Sequence, residues 1–442
     1  MNEKIDITSW KYIWNLSWPV MISNVAIPLV GVTDVAMMAH MPTPQYVGGV
    51  SLGMLVFNLI FAGFSFLRMC TTGFTARAYG EKKTTEILFI MIRGLMIALS
   101  CGVLIIFCSP LIIVLADMFL IMSTMTKTYM EDYFYLRIWG VPLSLCNIVI
   151  IGWLFGMQRM KLAMTLILII NLSNILLNFF FVLGLSMEIK GVALASVFAE
   201  LIGIIYIIFI FFLKQKSLSL DFHLIDVKNF LKLRNWLPFF NTGGNLILRS
   251  FLIWSVEAIL LSNASKIGDL QLASAQLILV ILGLIAFTLD GFAHASEALV
   301  GNIIGRNKKS LLNIIIIRSS ILSFLTALFI STLLYLYKFQ IINILTSQFF
   351  LKQQVADIWI WCILLPLSSF LAFQMDGIFV GASCAKSMRN GMFLSLIIFM
   401  LTLYSFNELT IEKLFIASNV FLLSRGLILL ILLPIVKKQI KI

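Results

Sequence analysis

Asp34 is an acidic residue inside an otherwise apolar stretch of the chain. It lies in the segment GVTDVAMMAH, residues 31–40, and Pro28 precedes it by six residues. A carboxylate in such a stretch can bind a proton, or it can join amide and hydroxyl oxygens around a small cation such as Na⁺. A proline inside a helix removes a backbone hydrogen bond and favours a bend. The segment therefore predicts an ion-binding residue close to a bend in a helix.

Amide and hydroxyl side chains that could accompany Asp34 follow in two later apolar stretches. Asn171, Asn174 and Asn178 recur at spacings of three and four residues, which places them on one face of a helix. Ser196 lies in the next stretch. We propose these residues as polar neighbours of Asp34. The alternative is that these side chains and Asp34 only join helices through hydrogen bonds.

A second group of ionisable residues lies in the other half of the chain. Asp290, His294 and Glu297 stand at i, i+4 and i+7, along one side of a helix. We interpret Arg249 as the structural ion-pair partner of Asp290, because pairing is the least costly way to carry charge in a low dielectric. Other ionisable residues in apolar stretches of this half are Glu257, Asp376 and Arg425. Arg425 is also expected to form a structural ion pair.

The first two apolar stretches are rich in methionine and phenylalanine. Met37, Met38, Phe57 and Phe61 are candidates for lining a substrate cavity, since methionine-rich walls suit varied apolar ligands. Residues of this kind more often pack against other helices or against lipid. We take packing as their main expected role.

The elements that position these residues follow from composition. The chain has 442 residues, of which 61% are hydrophobic and only 12% are charged, so it is not a water-soluble globular protein. Apolar stretches long enough to span about 30 Å of hydrocarbon recur along it. Twelve such stretches are predicted as helices, at residues 13–39, 46–74, 88–115, 131–157, 162–184, 190–213, 236–262, 271–301, 312–337, 355–383, 390–406 and 413–436. We therefore predict an all-α polytopic membrane protein.

The basic residues lie mainly in the polar segments at one end of the predicted helices. Examples are GEKKTTE at 80–86, GRNKK at 305–309 and KKQIK at 437–441. This distribution is typical of the positive-inside pattern, with both termini cytoplasmic, and not of nucleic-acid binding. The six cysteines form no CxxC pair, so we expect neither a zinc site nor a disulfide framework, and no cofactor beyond a coupling ion.

The chain also contains an internal repeat. Gly80 and Gly305 are 225 residues apart, and so are Gly156 and Gly381. Six predicted helices separate the copies, so both halves have the same orientation in the membrane. We predict two pseudo-symmetric six-helix bundles, at residues 1–213 and 236–442, joined by a cytoplasmic loop at 214–235.

Several segments, in their order along the chain, resemble the DinF branch of the multidrug and toxic compound extrusion (MATE) transporters. They are NVAIPLVGVTDVAMMAH, YVGGVSLG, FLRMCTTGFTARAYG, LDGFAHASEALVG, MDGIFVGASCAKSMRN and FLLSRGLIL. The resemblance covers nearly the whole chain. It implies alternating access and export of organic, often cationic, compounds in exchange for protons or sodium ions. We expect a monomer in a bacterial inner membrane.

The resemblance also implies roles for single residues. Asp34 matches an acidic residue whose ion binding is linked to bending of its helix at the proline, here Pro28. Asn174 matches an amide partner, and Ser196 stands where related sequences often have threonine. Asp376 resembles an acidic residue that other branches use in the second bundle.

One position departs from the family pattern. Asn178 stands where the family commonly has an aspartate. Asp34 is therefore the only acidic residue that we place near the middle of a helix of the first bundle. We favour a proton over Na⁺ as its ligand.

Two other functions are consistent with parts of the sequence. The wider superfamily includes flippases of lipid-linked precursors, for which we expect a more cationic cavity. A polytopic membrane transferase would need clustered catalytic residues, whereas the three histidines, His40, His223 and His294, are scattered.

The basic segments predict the topology. A reporter fused after Lys83, Lys216 or Lys309 should be cytoplasmic, and one at Thr43, Lys127 or Asn407 should be external, because lysine and arginine are retained on the inside. Protease protection of the reporters in sealed vesicles measures this. An external reporter after Lys216 would contradict the arrangement in two parallel halves.

Overall fold

The computed structural model describes residues 6–39, 41, 43–120, 122–214 and 232–440. Twelve helical segments within these residues are long and apolar enough to cross a membrane. The prediction of an all-α polytopic membrane protein is confirmed. Most of the predicted connecting loop, residues 215–231, lies outside the described residues, as do His40 and His223.

The first six of these segments contain eight α-helices, and a ninth, α5, lies between the third and fourth segments. Two segments are each built from two helices: a short turn separates α2 from α3, and a 3₁₀ turn at Ile138–Gly140 joins α6 to α7. The helices are α1 Trp10–Ala39, α2 Gln45–Gly63, α3 Phe66–Gly80, α4 Thr84–Phe107, α5 Ser109–Phe119, α6 Thr124–Arg137, α7 Val141–Gly156, α8 Met160–Asn178 and α9 Glu188–Lys214.

The other six segments are the long helices of the second half, which also has three short helices. The helices are α10 Leu237–Ile267, α11 Asp269–Gly305, α12 Lys309–Leu336, α13 Lys338–Leu345, α14 Phe349–Asp357, α15 Trp359–Gly381, α16 Ala385–Tyr404, α17 Ile411–Ile431 and α18 Leu433–Lys437.

Two predicted segments are shorter than the apolar pattern indicated. The segment predicted at 88–115 ends at Phe107, and the one predicted at 413–436 ends at Ile431. In each case a new short helix begins with a proline in its first turn, Pro110 in α5 and Pro434 in α18. Proline has no backbone N–H to continue the preceding helix, which is why the apolar pattern continues where the helix does not.

The chain divides into two compact units. One contains residues up to Met21 together with Pro238–Ile442, and the other contains Ile22–Leu237. We call them the C-terminal unit and the N-terminal unit. The first part of α1 therefore belongs to the C-terminal unit, although the sequence suggested a boundary only between residues 213 and 236.

The distribution of side chains suits a bilayer. Large apolar residues such as Phe107 and Phe212 are about four-fifths exposed, at 79% and 80%. The buried positions include many small and polar residues, for example Thr71, Thr75 and Ser319. Lipid tails are as apolar as leucine, so close packing and hydrogen bonds, more than hydrophobic burial, hold such helices together.

Pairs of glycines one turn apart bring helices into backbone contact. On α15, a Cβ at Gly377 would lie 2.1 Å from the carbonyl oxygen of Ala293, and one at Gly381 would lie 2.3 Å from that of Glu297. These carbonyls belong to α11, so α15 lies directly against the α11 backbone. The side-chain-free surface of the two glycines is what permits this contact.

The same arrangement recurs in the N-terminal unit. Gly152 and Gly156 of α7 face the α3 backbone, where Cβ atoms would lie 2.6 Å from the Arg68 oxygen and 2.8 Å from the Thr72 oxygen. Each of these glycines precedes its counterpart on α15 by 225 residues. The predicted repeat is therefore a repeat of helix packing.

Replacing Gly381 with alanine should destabilise the C-terminal unit. A methyl group would meet a backbone oxygen that cannot move aside without shifting α11, which costs about 1–3 kcal/mol. The midpoint of thermal unfolding in detergent should fall. Gly283→Ala on α11 is the matched control, because nothing lies within 4 Å of its added Cβ. Equal midpoints for the two variants would contradict the close contact.

Candidate ion-coupling site

Asp34 is buried in the N-terminal unit, with 2% of its surface exposed. It lies near the end of α1 and accepts a hydrogen bond from the side chain of Asn178, with 2.6 Å between Nδ2 of Asn178 and Oδ1 of Asp34. Asn178 is fully buried. The carboxylate is thus bound by an amide, and hydrogen bonds of this kind to a charged acceptor are short and strong.

This contact is the first of a chain of hydrogen bonds. Nδ2 of Asn178 also donates to Oδ1 of Asn174, at 3.0 Å, and Nδ2 of Asn174 donates to Oγ of Ser196, at 2.9 Å. The structure therefore brings together Asp34, Asn174, Asn178 and Ser196 from α1, α8 and α9. Asn171 has no hydrogen bond at its side-chain nitrogen.

The backbone of α8 changes its winding at this site. Asn178 is the last residue of the α-helical part, and a π-helical segment, Phe179–Gly184, follows directly. A π-helical turn widens the helix and is frequently found at functional sites. The helix that carries both amides is thus irregular next to Asp34.

One oxygen beside Asp34 has no partner. Oδ1 of Asn178 is buried and accepts no hydrogen bond. An unpaired buried acceptor is costly and calls for a physical reason. A protonated carboxyl group would supply the missing donor if the amide turned its oxygen towards Asp34. The site can therefore accommodate both charge states of the carboxyl group.

Two residues that the sequence analysis missed border this chain of hydrogen bonds. Arg137, at the end of α6, lies close enough to interact electrostatically with Asp34. Tyr133, one turn earlier, is buried and its hydroxyl lies near Arg137 and Ser196. The four-residue spacing of Tyr133 and Arg137 was a signal that could have identified this face of α6.

The N-terminal unit contains a further acid that was not among the predicted residues. Glu200 lies near the middle of α9 and accepts a hydrogen bond from Nδ2 of Asn147, at 2.7 Å. The prediction that Asp34 is the only acidic residue near the middle of a helix in this half is therefore wrong. The residues directly beside Glu200 are apolar, and the signal that could have identified it is its position four residues after Ser196.

The predicted substrate-lining residues are mostly packed inside the unit. Met38 is fully buried, and Met37 and Phe57 are 8% and 3% exposed. The guanidinium of Arg137 lies 5.7 Å from the ring centroid of Phe57 and 5.9 Å from that of Phe61. These distances are within the range of cation–π contacts, so the two rings help to hold the cation.

Helix α1 is continuous through Pro28, from Trp10 to Ala39. The bend that the sequence predicts at this proline stays a prediction.

The ionisable residues of the C-terminal unit pair differently from the prediction. Arg249 donates to Asp376, not to Asp290, and Arg425 donates to the same oxygen, Oδ2 of Asp376. All three residues are at most 9% exposed. The structure thus gives Arg249 the carboxylate of Asp376 in place of the predicted Asp290. Helical spacing does not determine which residues of two neighbouring helices meet. Arg425 forms the structural ion pair expected for it.

The other predicted residues of this unit lie as follows. Asp290 is close enough to Arg425 for an electrostatic interaction. His294 and Glu297 contact each other, with 3.4 Å between Nδ1 and Oε2. Glu257 is exposed on α10.

The cluster predicts which substitution is severe. Asp376→Asn should leave two buried arginines without their carboxylate, at a cost of about 3–5 kcal/mol. Arg249→Met should be much milder, since Arg425 still balances Asp376. The measurement is the folded fraction that survives heating in detergent, determined by size-exclusion chromatography. The opposite ranking would contradict the cluster and indicate a different partner for Arg249.

Comparison with known proteins agrees with this architecture. The MatE family model matches the chain twice, over residues 19–180 and 246–407, once in each half. DNA damage-inducible protein F of Escherichia coli (strain K12) is 33% identical over 424 residues, which are 95% of this chain and 91% of that protein.

More distant relatives also match over most of the chain. The probable multidrug resistance protein NorM of Bacillus cereus is 21% identical over 373 residues, 82% of this chain and 80% of that protein. A crystal structure of MATE in the bent conformation matches with a TM-score of 0.86 and 19% identity, covering 96% of each chain. The fold, the two matches of the family model and the similarity to the E. coli protein together show that this chain belongs to the MatE family and is a multi-pass membrane transporter, not an enzyme.

Proposed function

We propose that the protein is a secondary antiporter that exports organic, often cationic, compounds by alternating access, and that a proton gradient drives it through Asp34. The observation that carries this proposal is the buried chain of hydrogen bonds from Asp34 through Asn178 and Asn174 to Ser196. It links a titratable group to three helices. Binding of a proton at one end therefore changes contacts along the whole chain.

The substrate class is supported by the relatives. NorM of Bacillus cereus is described as a probable multidrug resistance protein. Membership of the same family supports a small organic molecule as the substrate. The partners we propose are such molecules and the lipid bilayer, with no nucleic acid.

The chemistry of the chain suggests how protonation is transmitted. When Asp34 is ionised, it accepts a hydrogen from Asn178. When Asp34 is protonated, its O–H becomes a donor, and the buried oxygen of Asn178 is the nearest unpaired acceptor on α8. Turning the amide to meet this donor would remove its nitrogen from Asn174. Asn174 would then form new hydrogen bonds, so that α1, α8 and α9 all respond to the binding of one proton.

The orientation of the amides favours a proton over Na⁺. A sodium ion at Asp34 would need several oxygen atoms directed at it, because hard cations take oxygen ligands. Asn178 instead directs its nitrogen at the carboxylate, and Asn174 directs its nitrogen at Ser196. These are contacts of hydrogen-bond donors. The arrangement therefore suits a group that gains and loses a proton.

The second unit offers less freedom for ion coupling. Asp376 is bound by both Arg249 and Arg425 and cannot gain a proton without leaving two buried cations unbalanced. This supports Asp34 over Asp376 as the coupling residue. Export of a lipid-linked precursor is less favoured. Such a substrate calls for a cationic cavity, whereas the buried hydrogen-bonded chain of the N-terminal unit begins at an acid, Asp34.

We further propose that the protein is a monomer in a bacterial inner membrane, with both termini in the cytoplasm. The relatives from E. coli and Bacillus support a bacterial membrane. The positions of the basic segments support the orientation.

The substitution Asp34→Asn tests the coupling role. The amide keeps the size and hydrogen-bonding capacity of the side chain and removes its titration. The variant should insert and fold with near-normal yield, because a neutral amide costs less in the bilayer than a carboxylate. Export of ethidium from liposomes driven by a proton gradient should collapse, because a gradient acts only through a site whose ion affinity differs between two states. Ethidium binding should persist.

The matched control is Asp132→Asn, since Asp132 is half exposed and its nearest cation, Lys190, lies 3.7 Å away. This variant should export at the wild-type rate, because such ion pairs at a surface contribute little. Proton and sodium gradients are imposed in separate runs. If Asp34→Asn exports ethidium at the wild-type rate under the driving gradient, Asp34 is not the coupling residue. If only a sodium gradient drives export, the coupling ion is Na⁺ and not a proton.

A further inference from the structure

Glu200 is a carboxylate that the proposed coupling through Asp34 does not use. It follows Ser196 by four residues, so it lies about one helical turn, or about 6 Å, further along the same face of α9, towards Lys214. Ser196 is the last member of the hydrogen-bonded chain that begins at Asp34. The chain and Glu200 thus follow each other along one side of α9.

Asn147 of α7 holds Glu200 in place. Its Nδ2 donates to Oε2 of Glu200, at 2.7 Å, and to the backbone oxygen of Glu200, at 3.0 Å. Asn147 is 2% exposed. Gly203, one turn after Glu200, lies against both α8 and Asn147, since a Cβ there would be 2.6 Å from Cγ1 of Ile170 and 3.1 Å from Nδ2 of Asn147. The close contact of α7 with α9 therefore lets the amide of Asn147 reach the carboxylate of Glu200.

The Glu200 site repeats the construction of the Asp34 site. In each, an asparagine donates a short hydrogen bond to a carboxylate, at 2.6 Å for Asp34 and 2.7 Å for Glu200. In each, the oxygen of the same asparagine is buried and accepts no hydrogen bond, as seen for Asn178 and Asn147. A donor for that oxygen appears when the neighbouring carboxyl group is protonated and the amide turns. Both sites are thus built for two charge states.

The helices packed against α9 carry other ionisable residues. Among the described residues, α6 carries Tyr133 and Arg137, α7 carries Cys146, and α8 carries Lys161 in its first turn. Arg137 contacts the rings of Phe57 and Phe61. The described contacts of the Glu200 side chain are with an amide and not with a cation. An acid kept in a membrane-spanning helix at such cost indicates a function.

We propose that Glu200 is a second proton-binding residue of the transport cycle, placed between the Asp34 chain and the end of α9 that carries Lys214. In each cycle Asp34 loses a proton and becomes a carboxylate, and Glu200 gains one and becomes a neutral carboxyl group. Glu200 then releases that proton on the side of Lys214. This inference rests on the proposed function, because it requires proton-driven transport through Asp34.

The test compares variants in liposomes with ethidium as the probe. Glu200→Gln keeps an oxygen that accepts from Asn147, so a structural role of the side chain survives, whereas its titration is lost. Exchange of ethidium without a gradient should continue at the wild-type rate. Export driven by a proton gradient should fall by at least about tenfold, and its dependence on pH should flatten. Glu200→Asp retains a titratable group and should restore most of the export.

Glu188→Gln is the matched control on the same helix. Glu188 accepts a hydrogen bond from the hydroxyl of Tyr46, at 2.9 Å, and a glutamine oxygen can accept the same bond. This variant should export at the wild-type rate. Wild-type protein and Asp34→Asn are measured in the same series. If the wild type is not driven by protons, the proposed function fails and this inference with it. If only Asp34→Asn loses export and Glu200→Gln matches the wild type, this inference alone is overturned.

A measurement on the wild-type protein does not depend on the folding of a variant. Dicyclohexylcarbodiimide reacts with protonated carboxyl groups in apolar surroundings, and mass spectrometry locates the adduct. We expect adducts at Asp34 and Glu200 that decrease as the pH is raised. Labelling of Asp34 without labelling of Glu200 across the pH range of transport would overturn the inference.

Discussion

The hydrogen bond from Asn178 to Asp34 is the contact on which the proposed coupling depends. A carboxylate in hydrocarbon is costly unless donors surround it, and an amide supplies a donor without fixing the charge. An arginine in direct contact would have stabilised the ionised form and opposed the uptake of a proton. With an amide in contact, the charge of Asp34 can change, and the next residues along α8 and α9 respond to the change. The number of hydrogen bonds in this series sets how many helices change their contacts when Asp34 is protonated.

The close packing of helices gives this chain a fixed frame. Gly152 and Gly156 bring α7 against the backbone of α3, and Gly203 lets Asn147 of α7 approach α9. A side chain at Gly203 would press against Asn147, whose amide must stay within about 3 Å of its acceptors. A side chain at Gly152 or Gly156 would push α7, which carries Asn147, away from α3. Small residues therefore act on the polar contacts indirectly, by setting the distance between backbones. The irregular winding of α8 after Asn178 occurs where this frame adjoins the carboxylate.

Much of the fold could be predicted from the sequence, because apolar stretches of about 20 residues can only be paired internally as helices in a bilayer. The spacing of Asn174 and Asn178 likewise predicted one helix face, and the structure places both amides beside Asp34. The partner of Arg249 could not be predicted. Its choice between Asp290 and Asp376 depends on which helices touch, and helical periodicity carries no information on that. Glu200 was missed although it follows the predicted residue Ser196 by four positions, because its partner Asn147 is distant in sequence and the residues directly beside it are apolar.

The two halves share the same glycine-mediated helix packing and differ in the side chains that bind their buried carboxylates. The glycine contacts of α7 on α3 and of α15 on α11 recur at the same interval. The acids do not follow this repeat. In the N-terminal unit, Asp34 and Glu200 are bound by amides, which leave their charge free to change. In the C-terminal unit, Asp376 is bound by two arginines, which hold it ionised because its protonation would leave two cations unbalanced. A repeat of identical packing can thus carry a titratable interior in one half and a fixed ion cluster in the other, since the glycine contacts lie between backbones and place no demand on the polar side chains beside them.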